Sequence, residues 1–366
     1  MKFIQQKPDY SCPLAVPRER VVQCPYPVTF LRYRYPHHAA PSGYDRICDF
    51  VDAKTLELPQ HLYLAGETIL RPWTVWKART CGVFEHSRYD CIQEEALIRH
   101  AKKSPPRIYH FIYGEKLFLR SGPLLSSLGH KVLLTLHHPE TNVNAFIQDY
   151  SHFEYASKIL TMDATMPEFW NKAVGRNISE WMPHGVDCDY FRPVERAVSD
   201  TKTIIFAGTH ARDIETLVKT IQSLDSVPRL RFRLLSRDET LESLASQNPN
   251  VEVIKWLDDA GYKKFISEAD LLLLPLKMST VCNVVLEAMA CGVPVVTSDG
   301  GIADYLDSQS SKIIDSSSEA TWVEAIAELL DRGKNARSKA RLQALKFDWP
   351  AVASRHIKIF EEMLSA

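Results

Sequence analysis

Two separate runs of alternating strand and helix predict an α/β fold of two doubly wound domains facing across a cleft. Three observations carry that expectation. The length of 366 residues exceeds what a single core usually organises. Fully apolar runs, LLLL at 271–274 and VPVV at 293–296, suit parallel strands buried on both faces. The strand–helix alternation starts near Val28 and again near Lys202, and each run is too long to be one unit.

The first alternation opens with a strand at 28–35 (VTFLRYRY), stopped by Pro36. A loop at 37–44 (HHAAPSGY) and a helical pattern at 45–51 follow. Residues 1–27 read as an irregular, proline-containing arm, and 52–107 as short apolar pieces with two helices, one at 89–102. Strands are expected at 108–113, 131–136 and 159–161, with helices at 123–128 and 167–173. A first-turn proline and Gly129 bound the helix at 123–128. Residues 181–193 (WMPHGVDCDYFRP) read as a connector turning at His184-Gly185. In the second alternation strands are expected at 203–207, 230–235, 251–254, 271–275 and 295–298. Helices are expected at 213–224, 262–269, 284–290, 320–332 and 351–364.

Composition narrows the function. The net charge of −1 gives no pull toward nucleic acid. Residues 1–180 carry +4 and the remainder −5, which makes the N-terminal half the better candidate for an anionic acceptor or a membrane surface. No apolar run reaches the roughly 20 residues of a membrane span, and the first residues lack the apolar core of a signal peptide. The eight cysteines form no CxxC pair and read as reduced thiols in a cytoplasmic protein. The 13 histidines show no HxxxH or HxH spacing, so a catalytic metal is not expected. Neither a GxSxG elbow nor a P-loop is present.

Residues 271–304 carry the chemistry. Ser279 and Thr280 are good N-cap residues, so a helix is expected to start near Val281 and to end at Gly292 and Pro294. Free backbone N–H groups at such a start, with the positive end of the dipole, suit a phosphate. Asn283 and Glu287, four apart, share one helix face. Glu287 is a lone carboxylate among Leu286, Ala288, Met289 and Ala290. A solvated surface helix with Glu287 paired to a lysine is one reading, but those neighbours argue for burial. A diphosphate at the helix start and a hydroxylated ring beside Glu287 would satisfy both features, and a nucleoside diphosphate sugar has both.

The stretch NVVLEAMACGVPVVTSDGG, residues 283–301, resembles the donor-binding signature of GT-B glycosyltransferases, in particular the large retaining family called family 4. IIFAG at 204–208 resembles the first strand of that family's C-terminal domain, 181–193 its interdomain connector, and 251–275 the strand, helix and strand before the signature. Residues 133–138 resemble the N-terminal strand that ends in a histidine. The resemblance covers residues 105–300 well, 28–52 loosely, and 1–27 and 53–104 hardly at all. It implies two Rossmann-like domains: an acceptor-binding one at 1–183, a donor-binding one at 184–345, and a final helix within 346–366 crossing back to the first.

By this resemblance the catalytic set is His137, facing the donor sugar, Arg212, on the diphosphate, and Glu287, on the ribose. Gly43, His184, Gly208, Lys255, Leu257, Ser279, Thr280, Val281, Cys282 and Asn283 are the further donor-binding candidates. Arg237 and Lys277 are alternatives for a second phosphate cation, and His37, His38 and His138 lie on the acceptor side. There is one departure. The family usually carries a first glutamate eight positions before the second, followed by a Gly-Phe-Gly-like stretch. Here that position is Ser279, followed by Thr280-Val281-Cys282. The implied reaction moves a sugar, hexosyltransferase fashion, from a UDP- or GDP-linked donor to a glycan, lipid-linked or small-molecule acceptor. Retention of configuration, no cofactor and no metal are expected, with Arg212, a second cation and the helix start carrying the leaving charge. Polysaccharide or glycoconjugate synthesis at the cytoplasmic face of a membrane fits, with peripheral contact through the N-terminal domain. Two rivals are a nucleotide-sugar epimerase of the same fold and a non-catalytic nucleotide-sugar binding protein, the latter suggested by Ser279.

Overall fold

The computed structural model describes residues 15–34, 40–57, 88–147, 149–196, 199–315 and 318–365. Its first half contains β1 (Val22–Gln23), β2 (Val28–Leu31), a 3-10 turn (Tyr44–Arg46) running into α1 (Ile47–Phe50), β3 (Val51–Asp52) and β4 (Lys54–Leu56). Then come α2 (Arg88–Ala101), β5 (Ile108–Phe111), α3 (Gly114–Leu117), α4 (Gly122–Ser127) and β6 (Lys131–Leu136). The half closes with α5 (Glu140–Phe146), β7 (Lys158–Thr161), α6 (Met166–Val174) and β8 (Ser179–Trp181). Six of these strands form one parallel sheet in the order β4-β2-β5-β6-β7-β8.

The second half has β9 (Lys202–Ala207), α7 (Ile214–Ser223), β10 (Leu230–Leu235), α8 (Glu239–Gln247), β11 (Val251–Ile254) and α9 (Asp259–Ser267). It continues with β12 (Leu271–Leu274), α10 (Asn283–Ala290), β13 (Val295–Thr297), β14 (Ser311–Ile313), α11 (Glu319–Leu345) and α12 (Trp349–Ser365). Its sheet is also parallel, in the order β11-β10-β9-β12-β13-β14. The strand order reverses between β9 and β12, and the loops leaving those two strands therefore frame a crevice. Asp213 and Asp258 start α7 and α9 by accepting the Thr216 and Gly261 amides, at 3.2 and 2.7 Å.

Several local expectations are corrected. Ser279 and Thr280 do not cap α10; Cys282 holds the N-cap position, and its side chain caps no amide of the helix. The Ser279 hydroxyl donates to the Val281 carbonyl (2.9 Å) and the Thr280 hydroxyl to the His137 carbonyl (2.5 Å), so both have stronger uses than a cap. The helix expected at 320–332 does end there, at the non-helical Gly333, but an unexpected second helical segment follows it to Leu345. Helices α5 and α8 and edge strands β4 and β14 were not anticipated, because their sequences are short or half polar.

Each sheet has its own apolar core. The C-terminal helix α12 leaves the second domain and buries Trp349, Val352, Ile359, Phe360 and Met363 in the first. Trp349 stacks on Phe50 with ring centroids 6.0 Å apart. The chain thus crosses between domains twice, and the two crossings run side by side. Val186 donates to Phe347 at 2.9 Å, and Trp349 donates back to Val186 at 3.1 Å. Among the described residues no helix is long and apolar enough to cross a membrane.

Arg20 pins these crossings. Its guanidinium reaches Asp187 (2.5 Å), Asp348 (2.6 Å) and Asp189 (3.0 Å), and its side chain is 9% exposed. Asp187 lies on one crossing and Asp348 on the other, so one cation ties both to the N-terminal domain. Removing it leaves Asp348 without this counter-charge and Asp187 with only the more distant Arg46, at 3.9 Å. Arg20→Ala should therefore cost about 3–5 kcal/mol in urea unfolding. A loss below about 1 kcal/mol would mean that the ion cluster does not hold the crossings together.

Candidate functional site

The crevice in the second sheet is built from the loops after β9 and β12. They pair through an Arg212–Leu276 bridge, and the Lys277 amide donates to Ala211 at 3.0 Å. Arg212 folds back across the end of β9. Its Nε donates to Ala207 (3.1 Å), Nη1 to His210 (3.2 Å) and Nη2 to the Cys282 sulfur (3.4 Å). The guanidinium lies over Gly208, where a Cβ would stand 2.7 Å from Nη2, and Gly208 has φ 101°. Glycine is required there both for conformation and for the close approach. A cation is thus fixed beside the start of α10, whose first amides have no intrahelical acceptor. A fixed cation beside free amides is an arrangement suited to an anion.

Of the two alternative cations, Lys277 is exposed and Arg237 is exposed with its Nε on the Lys255 carbonyl at 3.3 Å. Arg237, in the loop after β10, is therefore turned onto the loop after β11. In that loop Lys255 pairs with Glu242 (2.8 Å), Leu257 is half-buried, and Trp256 between them is 69% exposed.

Glu287 is 3% exposed, within a helix buried from Val284 to Ala290. Burial pushes its carboxyl above the usual range, and hydrogen bonds from Ser42 and Tyr262 pull it back. Tyr262, on α9, donates to Oε2 at 2.6 Å, and Ser42, from the other domain, donates to Oε1. The Tyr262 hydroxyl is raised well above its ordinary value by burial and by the Glu287 charge, so it stays a donor. Pro41, Ser42, Gly43, His184, Asn283 and Trp349 line a small cavity beside this carboxylate. Sequence reasoning missed Ser42, Tyr262 and Trp349. The surplus aromatic on the inner side of α9 was the one available signal.

The N-terminal domain presents strand ends to the same crevice. His137 follows β6; its amide donates to Glu115 (2.7 Å) and its Nε2 to the Ile112 carbonyl (2.7 Å), which leaves Nδ1 unprotonated. Its ring lies between Tyr113 (4.5 Å) and Tyr44 (5.1 Å). His138 comes within 3.9 Å of Glu115. The His184 amide donates to the Tyr305 hydroxyl (3.0 Å), which donates to Met162 across the cleft (2.7 Å), and His184 Nδ1 donates to Gly185 (2.6 Å). Tyr44 ties these groups to α12: its hydroxyl is 2.8 Å from His356 Nε2, and His356 Nδ1 donates to Val352. Gly43 lines the cavity with φ 101°. His37 and His38 lie outside the described residues. The structure thus brings Arg212, Gly208, Cys282, Asn283, Glu287, His184 and Gly43 to one crevice. His137 joins them through Thr280.

Residues 201–332 match the family model of the Glycosyl transferases group 1. Sucrose-phosphate synthase from Thermosynechococcus elongatus superposes with a TM-score of 0.65 at 15% identity, over 93% of this chain and 99% of that one. HepE from Anabaena, solved with UDP-glucose, gives 0.59 at 12% identity, over 92% and 99%. The chain has the GT-B fold. Among curated relatives, D-inositol 3-phosphate glycosyltransferase of Mycolicibacterium smegmatis is 27% identical over 187 residues, which is 45% of this chain and 43% of that protein. The enzyme of the same name from Salinispora arenicola is 33% identical over 103 residues, 27% of this chain and 23% of that one. The matches span about half the length of these relatives or less.

In this GT-B chain three cleft histidines are held neutral. Burial lowers His137, His184 and His356 to about 4, outweighing the backbone hydrogen bonds that favour their protonated forms. An unfolded histidine binds its proton near pH 6.5. Between these values the unfolded chain binds more protons than the folded one, so stability falls as pH drops from about 6.5 toward 4. The slope is about 1.4 kcal/mol per pH unit for each histidine. Urea midpoints measured from pH 7.5 down to 5.0 should decline, and the decline should shrink in His356→Gln. A flat profile over that range would show that the three are not buried as neutral bases.

Proposed function

We propose that this chain is a glycosyltransferase of the hexosyltransferase type that takes a nucleoside diphosphate sugar as donor. The carrying observation is the buried carboxylate of Glu287, one helix turn from an arginine-lined helix start. That spacing suits a ribose and a diphosphate of one nucleotide. Arg212 and the α10 amides would neutralise the leaving diphosphate, a task that needs no divalent metal or cofactor. UDP and GDP are the candidate leaving nucleotides, and the UDP-glucose complex of HepE favours UDP first. The acceptor would be a glycan, a lipid-linked sugar or a small polyol; the D-inositol 3-phosphate named for the curated relatives belongs to that last class. The signature at 283–301 supports family 4 and retention of configuration. Work at the cytoplasmic face of a membrane, with contact through the +4 half, is consistent with the charge distribution.

Ser42 gives the site a ready-made competitor. Its hydroxyl occupies Glu287 Oε1 where a ribose hydroxyl would bind, so a nucleotide must displace it. A second reading, a non-catalytic nucleotide-sugar binder, has Ser279 in its favour.

A thermal-shift panel of UDP, GDP, ADP and their sugar conjugates should single out one nucleotide by a concentration-dependent rise in Tm. Glu287→Gln should weaken that nucleotide about 10- to 100-fold in calorimetry, the loss of charge-assisted hydrogen bonds. Equal affinity would refute the ribose assignment. Ser42→Ala should bind the same nucleotide a few-fold more tightly, and weaker binding would make Ser42 a ligand contact instead. Transfer of labelled sugar to acceptor extracts supports the transferase. Turnover without acceptor to an isomeric nucleotide sugar would point to an epimerase, and binding without turnover to the second reading.

A further inference from the structure

The nucleotide half of the proposed site accounts for Arg212 and Glu287, but not for the groups on the far side of the α10 start. A donor whose nucleoside lies at Glu287 and whose diphosphate lies at Arg212 projects its sugar the other way. There the residue 279–282 loop and the Asp299–Gly301 turn face the ends of β6 and β7. The 279–282 loop brings no carboxylate to this space, and the exposed Asp299 carboxylate is turned back onto the Gly300 and Gly301 amides at 2.8 and 3.2 Å. Ser279 is a hydroxyl turned onto Val281, and its amide donates to Gly300 at 2.5 Å.

The other domain does bring one. Asp163 follows β7 by two residues and is 6% exposed. Its Oδ1 accepts the Thr165 amide (2.7 Å) and hydroxyl (2.8 Å), which fixes the carboxylate's direction. Oδ2 accepts no hydrogen bond from the described residues and is aimed across the cleft at the C-terminal domain. A Cβ on Gly301 would collide with both Asp163 Oδ2 and the Ser279 carbonyl oxygen, so two acceptors converge on this one glycine. Gly301 has φ 87°, a second reason for glycine at that point. The neighbouring strand end is engaged on the same loop, since the Thr280 hydroxyl donates to the His137 carbonyl. Tyr305, whose hydroxyl joins His184 to Met162, feels the Asp163 charge.

We propose that Asp163 is the carboxylate that receives the donor sugar's hydroxyls, supplied by the N-terminal domain in place of a carboxylate at position 279. A carboxylate on a residue only 6% exposed, with one oxygen that accepts no hydrogen bond from the described residues, beside a backbone carbonyl, suits a polyhydroxylated ring, which brings donors and no charge. Placing this group on the first domain makes sugar recognition depend on closure of the cleft. The inference rests on the nucleotide-sugar reading above.

The test separates the two halves of the donor. Calorimetry with UDP, UDP-glucose, GDP and GDP-mannose first identifies the pair that wild type binds. For that pair, Asp163→Asn keeps the Oδ1 turn acceptor but loses the charge. It should bind the bare nucleoside diphosphate within twofold of wild type, lose at least tenfold in affinity for the nucleotide sugar, and lose at least 30-fold in kcat/KM for sugar release or transfer. Glu287→Gln should instead weaken diphosphate and sugar conjugate alike. In Asp163→Ser combined with Ser279→Glu, a carboxylate returned from the opposite wall should recover part of the loss, a rescue that a purely structural Asp163 would not show. Asp163→Asn with wild-type sugar affinity and turnover overturns the proposal. So does a parallel loss of bare diphosphate binding in a variant of unchanged Tm. If wild type binds no member of the panel, the nucleotide-sugar reading itself falls and Asp163 is left as a turn acceptor.

Discussion

The site depends on how one buried carboxylate is satisfied. Glu287 sits in a helix whose every residue from Val284 to Ala290 is buried, and an ion there costs several kcal/mol unless donors replace its water. It has two: Tyr262 from its own domain and Ser42 from the other. The first is permanent, because α9 and α10 belong to one core. The second exists only while the cleft is closed. Opening exposes Oε1 to water, and a ligand hydroxyl can take the same place. The carboxylate proposed to hold the ribose therefore also senses the distance between domains.

That distance is governed on the opposite side by the two chain crossings. Arg20 joins Asp187 and Asp348, and α12 carries Trp349 into the first core. Trp349 also packs against His184 (5.3 Å) and Tyr44 (5.9 Å), and Tyr44 reaches His356. The crossing helix is therefore part of the cleft wall as well as a strap. The polar contacts on the open side are single hydrogen bonds, Ser42 to Glu287, Thr280 to His137, the Ala40 amide to Asp259 and Tyr305 to Met162, and Val281 packs against both cores beside them. An interface with an ionic and aromatic pivot on one edge and single hydrogen bonds on the other can swing at low cost.

Much of this was legible in the residues, and the exceptions have physical causes. The strand Lys131–Leu136 has the bounds its apolar run suggests, because a buried parallel strand has no competing pattern, and Leu230–Leu235 and Val251–Ile254 have theirs from an alternation of apolar and charged residues. The pattern at 45–51 gives only a 3-10 turn and one helical turn. Asp45 and Arg46 there are buried, Asp45 in an ion cluster with Arg32 and Arg34, Arg46 in a pair with Asp49. Glu287, Arg212 and Gly208 stand out in sequence because local spacing fixes them. Ser42, Tyr262, Trp349 and Asp163 do not, since each acts on a group tens to hundreds of residues away. The misassigned cap at Ser279 and Thr280 has the same origin: their hydroxyls found better acceptors, one of them across the cleft.

The distribution of polar groups between the domains carries a further consequence. Arg212, the α10 amides, Tyr262 and Glu287 all belong to the C-terminal domain and keep their geometry whether the cleft is open or closed. His137 and Asp163 belong to the N-terminal domain and meet the 279–282 loop and Gly301 only in the closed form. On the proposed reading, a nucleotide can be captured by the open protein with its full affinity, less the displacement of water. The sugar is gripped only after closure. A bare diphosphate then leaves Asp163 Oδ2 unsatisfied in the closed cleft, where an unpaired carboxylate is costly, and so favours opening. The missing carboxylate at position 279 thus becomes a means of coupling: the intact donor closes the cleft, and the spent one lets it open.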